Sequence, residues 1–355
     1  MPASESDAHF TIWAIACGHG DTLLIRLPNN HWALIDCHLR ENLVKAQFFD
    51  LLKSLNVDRL DYLILTHPHS DHYHGMPDVI NYFTSHGRSI GIYCDVGVAP
   101  VDVIQLLESV GRPTSEVKEY VKLVRSLDAL FKINAVEYQP VSEGIYPLDA
   151  GGKSGFQLIP VGPKAGLSAR MTRDYLAERT PSESLNSLSI QLLLRVEGDG
   201  EHIEMFLAAD ADTADVKNAL TIWADHRENG SGKVQFRLIK VPHHGSRNGH
   251  CHQLTLSGSV GTMNLAVISA DTKYRLPKRT VIEDYKNAGW TALTTTTRTD
   301  VVNTNHPLMA FAQGPKSRYV AARENIEIRW HGKNGLSWTP QTAEVSAAQL
   351  QHYFP

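Results

Sequence analysis

Residues 60–75, which read LDYLILTHPHSDHYHG, decide the fold of this 355-residue chain. The first six residues form an apolar run that predicts a buried strand, and three histidines and one aspartate follow within residues 67–72. Side chains two positions apart share one face of an extended segment, so His67 and His69 can converge on one ion. Asp71 and His72 follow where the chain turns and can reach a second ion. The stretch predicts a metal site at a strand end, and imidazole with carboxylate suits zinc, or manganese less strictly.

Strand patterns and helix patterns alternate on both sides of this stretch. Predicted strands are residues 11–16, 22–27, 32–35, 60–65, 90–93, 135–138, 156–160, 188–196 and 203–208. Predicted helices are residues 42–55, 77–83, 101–133 with a break at 111–113, and 163–180. The alternation predicts an α/β fold. We predict one domain over residues 10–339, with helical insertions near 101–133 and 163–180, an N-terminal extension at 1–9 and a C-terminal extension at 340–355.

Composition and charge limit the classes of function. The net charge is −4, so no global basic field attracts nucleic acid, and a polyanionic substrate would need a local basic patch. The four cysteines are far apart and form no C-x-x-C pair, which argues against a thiolate zinc site. The N-terminal residues lack the basic start and apolar core of a signal peptide, and no apolar run is long enough to span a membrane. We expect a cytoplasmic protein with no membrane partner.

Two later segments extend the histidine motif into a family pattern. Residues 205–210, MFLAAD, predict a strand that ends in an aspartate, and residues 238–246, LIKVPHHGS, predict a late strand followed by two histidines. Together with the H-x-H-x-D-H motif, these segments resemble the metal site of the metallo-β-lactamase superfamily. The resemblance implies a four-layer αββα sandwich, the metallo-β-lactamase fold, which carries two divalent metal ions, zinc or alternatively manganese.

Four shorter motifs narrow the resemblance. Residues 18–22 (GHGDT), 34–36 (LID), 186–188 (NSL) and 241–246 (VPHHGS) are similar to motifs in the hydrolase domain of the competence protein ComEC and its free-standing relatives. One departure is the sequence RLPK at residues 275–278, where ComEC-like chains tend to have Gly-His-Pro-His.

The resemblance implies a ligand set for the two ions. The six predicted metal ligands are His67, His69, Asp71, His72, Asp210 and His244. In this interpretation His67 and His69 bind the first ion, and Asp210 bridges to the second. The sequence leaves open whether His243 or His244 is the ligand, and we favour His244, with His243 facing the substrate. The predicted catalytic residues are Asp71, Asp210 and His243.

Five further residues are predicted around the ions. Asp21 and Asp36 close strands on the same rim and are implied to orient ligands, although a turn-forming role explains both aspartates equally well. Asn186 lies in the stretch where the superfamily carries a histidine that completes the first metal site, so we expect that site to be the weaker one. Lys240 and Lys278 belong to two cation-rich segments, and we expect them near the substrate.

These features predict a dinuclear metal-dependent hydrolase that acts through metal-activated water. The leading hypothesis is a phosphodiesterase, in particular a nuclease acting on DNA, because residues 233–247 and 273–279 each carry four lysines or arginines. A hydrolase of small esters, lactams or cyclic nucleotides on the same fold is the first alternative. The second alternative is an interaction subunit, or a partner-activated effector, whose metal site is structural and whose helical insertions dock a protein partner.

Overall fold

The computed structural model describes most of the chain between residues 9 and 342. The described residues are 9–85, 87–98, 100–109, 114–144, 148, 155–176, 184–226, 234–269, 275–298 and 322–342. The strands are β1 (Phe10–Ala14), β2 (Leu23–Arg26), β3 (Trp32–Ile35), β4 (Arg59–Ile64), β5 (Ser89–Asp95), β6 (Glu137–Pro140), β7 (Phe156–Gly162), β8 (Gln191–Gly198), β9 (Glu201–Leu207), β10 (Leu238–Lys240), β11 (Asn264–Ser269), β12 (Trp290–Arg298), β13 (Ala322–Trp330) and β14 (Leu336–Thr342). The helices are α1 (Asn42–Ser54), α2 (Ser70–Tyr73), α3 (Met76–Ser85), α4 (Pro100–Ser109), α5 (Thr114–Lys132), α6 (Leu167–Leu176), α7 (Thr213–His226), α8 (His252–Thr255) and α9 (Arg279–Asn287).

The strand order divides the sheet into two halves. The order is β6-β5-β4-β3-β2-β1-β13-β12-β11-β10-β9-β8-β7, and β14 pairs with β13. Strands β1 to β6 form the first half and β7 to β12 form the second, while β13 joins them by antiparallel pairing with both β1 and β12. Parallel pairing links β3, β4 and β5 in the first half and β9, β10 and β11 in the second. The carboxyl ends of each parallel set therefore meet at one edge of its half.

The two halves pack face to face. Phe156 lies on β7 at one end of the strand order, yet its ring centroid is 6.3 Å from that of Tyr62 on β4 in the other half. The backbone N–H of Ile190, just before β8, donates to the carbonyl of Thr66, just after β4, at 2.9 Å. These contacts close the sheet into two stacked layers.

Alternation along β8 and β9 decides what each face covers, because successive side chains of a strand point to opposite faces. Leu194 and Met205 belong to the core shared with the first half, whereas Leu193 and Phe206 belong to a separate core with Trp223 of α7. Buried side chains of α1, α3 and α5 cover the outer face of the first half in the same way. The predicted α/β fold, a four-layer αββα sandwich, is confirmed.

Most predicted elements lie within a few residues of their predicted bounds, with two exceptions. The strand predicted at 188–196 begins later, at Gln191, because Leu185–Leu188 form a 3₁₀ turn. The predicted C-terminal extension begins too early, because β14 includes Pro340 and continues to Thr342. A proline is tolerated there because β14 pairs with β13 and, within the described part of the chain, with no other strand. Residues 343–355 lie outside the described residues.

The two predicted insertions are helical where the structure describes them. Helices α4 and α5 occupy the first, and α6 occupies part of the second, of which residues 177–180 lie outside the described residues. Helix α5 packs against α2, α3 and α4, beside the loop that follows β4. That these helices are insertions into a common fold remains a prediction. None of the helices in the described part of the chain is long and apolar enough to cross a membrane.

Candidate metal centre

The candidate site lies where strand ends from both halves of the sheet meet. Asp36 follows β3 directly, and the histidine loop at residues 67–72 follows β4. Asp210 follows β9, and His243 and His244 follow β10. Because β3 and β4 run parallel, as do β9 and β10, these polar residues collect at the strand ends facing one space. The buried strands before them fix their backbone positions.

His67 and His69 form the first part of the site. Nε2 of His67 lies 3.0 Å from Nδ1 of His69, and the side chain of His67 is fully buried. Two ligands of a tetrahedral zinc ion lie about 3.3 Å apart, since zinc binds nitrogen at about 2.0–2.1 Å. Among the residues that the structure describes, no third His, Cys, Asp or Glu completes a group with this pair. The two nitrogens lie at hydrogen-bond distance from each other, and the binding of a first, weaker ion by this pair remains a prediction.

His72, Asp210 and His244 form the second and more complete part. Nε2 of His72 is 3.5 Å from Oδ2 of Asp210, and Nε2 of His244 is 3.3 Å from Oδ1 of Asp210. All three side chains are buried. Nε2 of both histidines and Oδ1 of Asp210 have no aligned hydrogen bond from any described residue. Because an unsatisfied buried polar atom is costly, the geometry fits a ligand at their common centre.

Asp71 lies on the more open side of this group. Its Oδ2 is 3.8 Å from Nε2 of His244 and 3.9 Å from Nε2 of His72. It is also 3.0 Å from Nε2 of His19, a residue of the turn between β1 and β2. Asp71 therefore adds a second carboxylate, on the more exposed side, to the group formed by His72, His244 and the buried Asp210.

Asp36 supports His72. Its Oδ2 accepts hydrogen bonds from Nδ1 of His72 at 2.7 Å and from the hydroxyl of Thr66 at 2.7 Å, and its Oδ1 accepts one from the backbone N–H of Thr66 at 2.8 Å. A carboxylate bound to one ring nitrogen fixes the tautomer and leaves the other nitrogen as an acceptor for metal. Asp36 therefore fixes the orientation of the His72 ring, and that this ring is a metal ligand remains a prediction.

Asp21 supports His244 through a different set of contacts. Its Oδ1 lies 3.8 Å from Nδ1 of His244, and its Oδ2 accepts a hydrogen bond from Nζ of Lys240 at 2.8 Å. Ligand atoms of Asp21, His72, Asp210 and His244 all lie within 4.8 Å of one another. Lys240 was expected near the substrate, but it does not line the surface of the site, because its side chain is only 2% exposed. The ion pair with Asp21 explains how a lysine is buried there.

The two adjacent histidines, His243 and His244, point in different directions. Both have left-handed backbone conformations, with φ of 48° and 52°, which store strain in a non-glycine residue. This tight turn buries His244 against Asp210 and leaves His243 partly exposed. Nδ2 of Asn186 lies 3.3 Å from Nε2 of His243, and Nδ1 of His243 lies 3.7 Å from Oδ1 of Asp212. His243 therefore stands on the open side of the site, away from the buried group.

Charges within the buried group reinforce one another. Burial would raise the pKa of Asp210, but the imidazoles of His244 and His72 hold it well below its usual range. Burial would lower the pKa of His244, but Asp210 and Asp21 raise it to about 10. Burial opposes the charge of His72 as well, yet Asp36 and Asp210 raise its pKa well above the ordinary value. The group thus favours positive charge at its centre, whether protons or a divalent cation provide it.

Only some of the lysines and arginines in residues 233–247 and 273–279 lie near the site. The backbone N–H of Lys278 donates to the carbonyl of Gly245 at 3.0 Å, so this lysine lies beside the histidine turn. Arg247 and Arg275 are exposed. Arg279 pairs with Glu283 at 2.6 Å, and Lys233 and Lys273 lie outside the described residues. Arg237 donates to the carbonyl of Met263 from the opposite end of β10.

Sequence reasoning missed two residues near the site. His19 is not among the ligands that the sequence predicts, yet it contacts Asp71. Asp212, two residues after Asp210, is not among the predicted site residues either, yet it lies beside His243 and accepts a hydrogen bond from Ser184 at 3.3 Å. The signal available for His19 was its place in a glycine-flanked turn next to Asp21, since glycines allow a turn to approach a site closely.

An αββα sandwich with a buried His/Asp group at its strand ends is the arrangement of the metallo-β-lactamase fold, and a fold alone does not determine an activity. Residues 31–130 match the family described as a Beta-lactamase superfamily domain. The matched region includes Asp36 and the histidine loop, whereas Asp210 and His244 lie beyond it. The match covers less than a third of the chain, so it shows a similarity to that family over this region. No curated protein sequence matches the chain.

Several solved structures resemble the chain at low identity. A novel metallo hydrolase, Igni18, from the hyperthermophilic archaeon Ignicoccus hospitalis is 12% identical, with a TM-score of 0.40 over 80% of this chain and 95% of that one. A diphosphatase of the PhnP family is 13% identical, with a TM-score of 0.33 over 65% and 73%. The subclass B3 metallo-β-lactamase MEM-A1, from a soil metagenome library, is 14% identical, with a TM-score of 0.35 over 67% and 78%. No activity is inferred from similarities this distant.

Proposed function

We propose that this protein is a metal-dependent phosphodiesterase, and more narrowly a nuclease that acts on DNA. The observation that carries the proposal is the convergence of His72 and His244 on Asp210, at 3.5 and 3.3 Å, with their ligand atoms buried and without aligned hydrogen bonds among the described residues. Such a set of nitrogen and oxygen donors suits a divalent transition-metal ion.

The residues present would hold two divalent ions, with zinc or manganese as the candidates. Asp71, His72, Asp210 and His244 would hold one ion, while His67 and His69 would hold a weaker one. Ions bound there would activate water near neutral pH and neutralise charge that develops on phosphoryl oxygens. Asp36 would orient His72 through its hydrogen bond, and Asp21 lies near His244. The partly exposed His243 would hydrogen-bond a substrate.

The choice of a phosphodiester substrate rests on local charge and on motif resemblance. Lys278, Arg247 and Arg275 lie on the segments that carry or border the histidine turn. The turn motif VPHHGS, together with GHGDT and NSL, is similar to motifs of ComEC-like hydrolases. Three phosphate contacts would give a salt dependence of log K on log[salt] with a slope of about −3 for duplex DNA.

The test is a substrate panel with purified protein in zinc, in manganese and in excess chelator. The substrates are plasmid DNA, a single-stranded oligonucleotide, bis(p-nitrophenyl) phosphate and a chromogenic cephalosporin. We expect metal-dependent cleavage of the phosphodiesters and no turnover of the cephalosporin. Asp210→Ala should abolish cleavage, whereas Asp199→Ala, which removes an aspartate that pairs with His9 at 3.0 Å outside the site, should not.

Three results would contradict the proposal in different ways. Undiminished cleavage in Asp210→Ala would show that the activity comes from elsewhere. Turnover of the cephalosporin alone would favour the small-molecule hydrolase. A metal content near zero in protein purified without chelator would favour the interaction subunit.

A further inference from the structure

The turn between β1 and β2, residues 17–21, is fixed closely against the loop that carries Asp71. The backbone N–H of Asp21 donates to the carbonyl oxygen of Asp71 at 3.2 Å, and Sγ of Cys17 donates to the carbonyl of Gly20 at 3.3 Å. Gly20 has a φ of 133°, and a Cβ atom at this position would collide with the backbone oxygen of Asp71. Only glycine permits this approach, so the position of the turn relative to Asp71 is set by the backbone.

The close approach brings the imidazole of His19 to the open side of the metal centre. Nε2 of His19 lies 3.0 Å from Oδ2 of Asp71, the oxygen that also faces Nε2 of His244 at 3.8 Å. The ring centroids of His19 and His244 are 4.9 Å apart. One ligand atom from each of His19, Asp71 and His244 lies within 4.8 Å of the others. These three residues thus form a second group of potential ligands, which shares His244 with the buried group.

We propose that His19 is a direct ligand of the ion that Asp71 and His244 hold. The inference rests on the proposed function, because it requires that the same site binds metal. The side chain of His19 is 31% exposed and that of Asp71 is 16% exposed, whereas His72 and His244 are fully buried. His19 therefore approaches the ion from the solvent side, and His72 and Asp210 approach it from the interior.

A histidine in this place changes the chemistry of the ion. His19 would be its third imidazole, after His72 and His244, and three nitrogens beside carboxylates suit zinc or cobalt better than harder cations such as magnesium. The alternative role for His19 is to donate a hydrogen bond to Asp71 without touching the ion. The substitution His19→Gln separates the two roles, because a glutamine amide can donate a hydrogen bond to Asp71 but cannot supply an imidazole ligand.

The experiment compares the wild-type protein with His19→Ala, His19→Gln and the control His9→Ala. His9 is a matched control because its side chain is 30% exposed and its Nε2 also lies 3.0 Å from an aspartate, Asp199, outside the site. Zinc affinity is measured by competition with a chromophoric chelator, and the number of imidazole ligands by X-ray absorption of the zinc-loaded proteins. We expect zinc affinity to fall by at least about tenfold in both His19 variants and to stay unchanged in His9→Ala. We also expect the zinc ion of both His19 variants to have one imidazole ligand fewer than in the wild type.

Two outcomes would overturn the inference. If His19→Gln keeps the wild-type affinity and imidazole count, His19 only orients Asp71, and the proposed function is untouched. If the wild-type protein binds no zinc or manganese, the inference and the proposed function fail together. Thermal unfolding of each variant confirms that a loss of affinity does not come from a loss of folding.

Discussion

The imidazole from each half of the sheet has its own supporting carboxylate, and the two supports differ in kind. His72, from the first half, donates to Asp36 at 2.7 Å, and Asp36 is held by the N–H and hydroxyl of Thr66. Among the described residues, these three hydrogen bonds to Asp36 are all 2.7–2.8 Å long. His244, from the second half, lies 3.8 Å from Asp21, which is the longer contact of the two.

The buried cation explains this difference. Lys240 binds Asp21 at 2.8 Å, so most of the charge of Asp21 is matched by lysine rather than by His244. Burial raises the pKa of Asp36, whereas for Asp21 the same effect of burial is outweighed chiefly by Lys240, and the pKa is lowered. The comparison separates two tasks: Asp36 should matter most for metal affinity, and the Lys240–Asp21 pair should matter most for stability.

The largest effect is expected from breaking the buried ion pair with Lys240→Met. Removing one partner leaves the buried Asp21 without its countercharge, which should lower the free energy of unfolding by about 3–5 kcal/mol. Because the pKa of Asp21 is lowered in the folded state, the contribution of the pair is present above the unfolded value of 3.8 and is lost as the pH falls through the lowered value. Urea unfolding at neutral and acidic pH measures both effects.

The control for this prediction is Lys217→Met on the exposed face of α7, which should change stability by less than about 0.5 kcal/mol. If the two lysine variants unfold at the same urea concentration, the pair carries no special role, and the contrast between the two supports disappears.

Metal removal is expected to have the next largest effect, because the ligands of one ion come from both halves of the sheet. An ion that binds only the folded state stabilises it by about 2.7 kcal/mol when its free concentration is 100 times the Kd. Unfolding in zinc and in excess chelator should therefore differ by about this amount. Equal stability in both conditions would mean that His72 and His244 are not joined through metal.

The sequence predicted the local parts of this arrangement well. The apolar run before His67 and the alternation of strands and helices follow from patterns within short segments. The αββα layers and the grouping of His72, Asp210 and His244 were expected from the resemblance of several motifs to a known family. Lys240 shows where such patterns fail. A lysine in a cation-rich segment predicts an exposed charge, since lysine is almost never fully buried, and only the fold brings Asp21 to it from more than two hundred residues away.

The rest depended on contacts between distant segments. Trp13 of β1 donates to Glu327 of β13 at 3.0 Å, and β13 joins the two halves of the sheet, yet no local pattern places a late strand beside the first one. The sequence did not indicate His19 for the same reason. Its contact with Asp71 depends on the hydrogen bond from the backbone N–H of Asp21 to the carbonyl of Asp71, which joins two distant segments.

A direct comparison of Asp36→Asn with Asp21→Asn sharpens the division of tasks. Asp36→Asn replaces the carboxylate that orients His72 at 2.7 Å, and loss of such a partner costs about 10–100-fold in metal affinity. Asp21→Asn should cost less affinity, because its contact with His244 is 3.8 Å long, but more stability, because Lys240 loses its countercharge. Zinc competition and urea unfolding of both variants check the two rankings. A larger loss of affinity in Asp21→Asn would reverse the assignment of tasks.

The smallest effect is expected at Thr66, which donates two hydrogen bonds to Asp36. Thr66→Val keeps the shape of the side chain and the backbone hydrogen bond but removes the hydroxyl that donates to Asp36 at 2.7 Å. A hydrogen bond to a charged group contributes about 1.5 kcal/mol at the lower end of its range. We expect Thr66→Val to lower the free energy of unfolding by about this amount, because Asp36 keeps the hydrogen bond from the backbone N–H. Thr66→Ser keeps the hydroxyl and should stay closer to the wild type in urea unfolding. If valine and serine behave alike, the hydroxyl is not part of the support, and Asp36 depends on the backbone of Thr66 alone to hold His72.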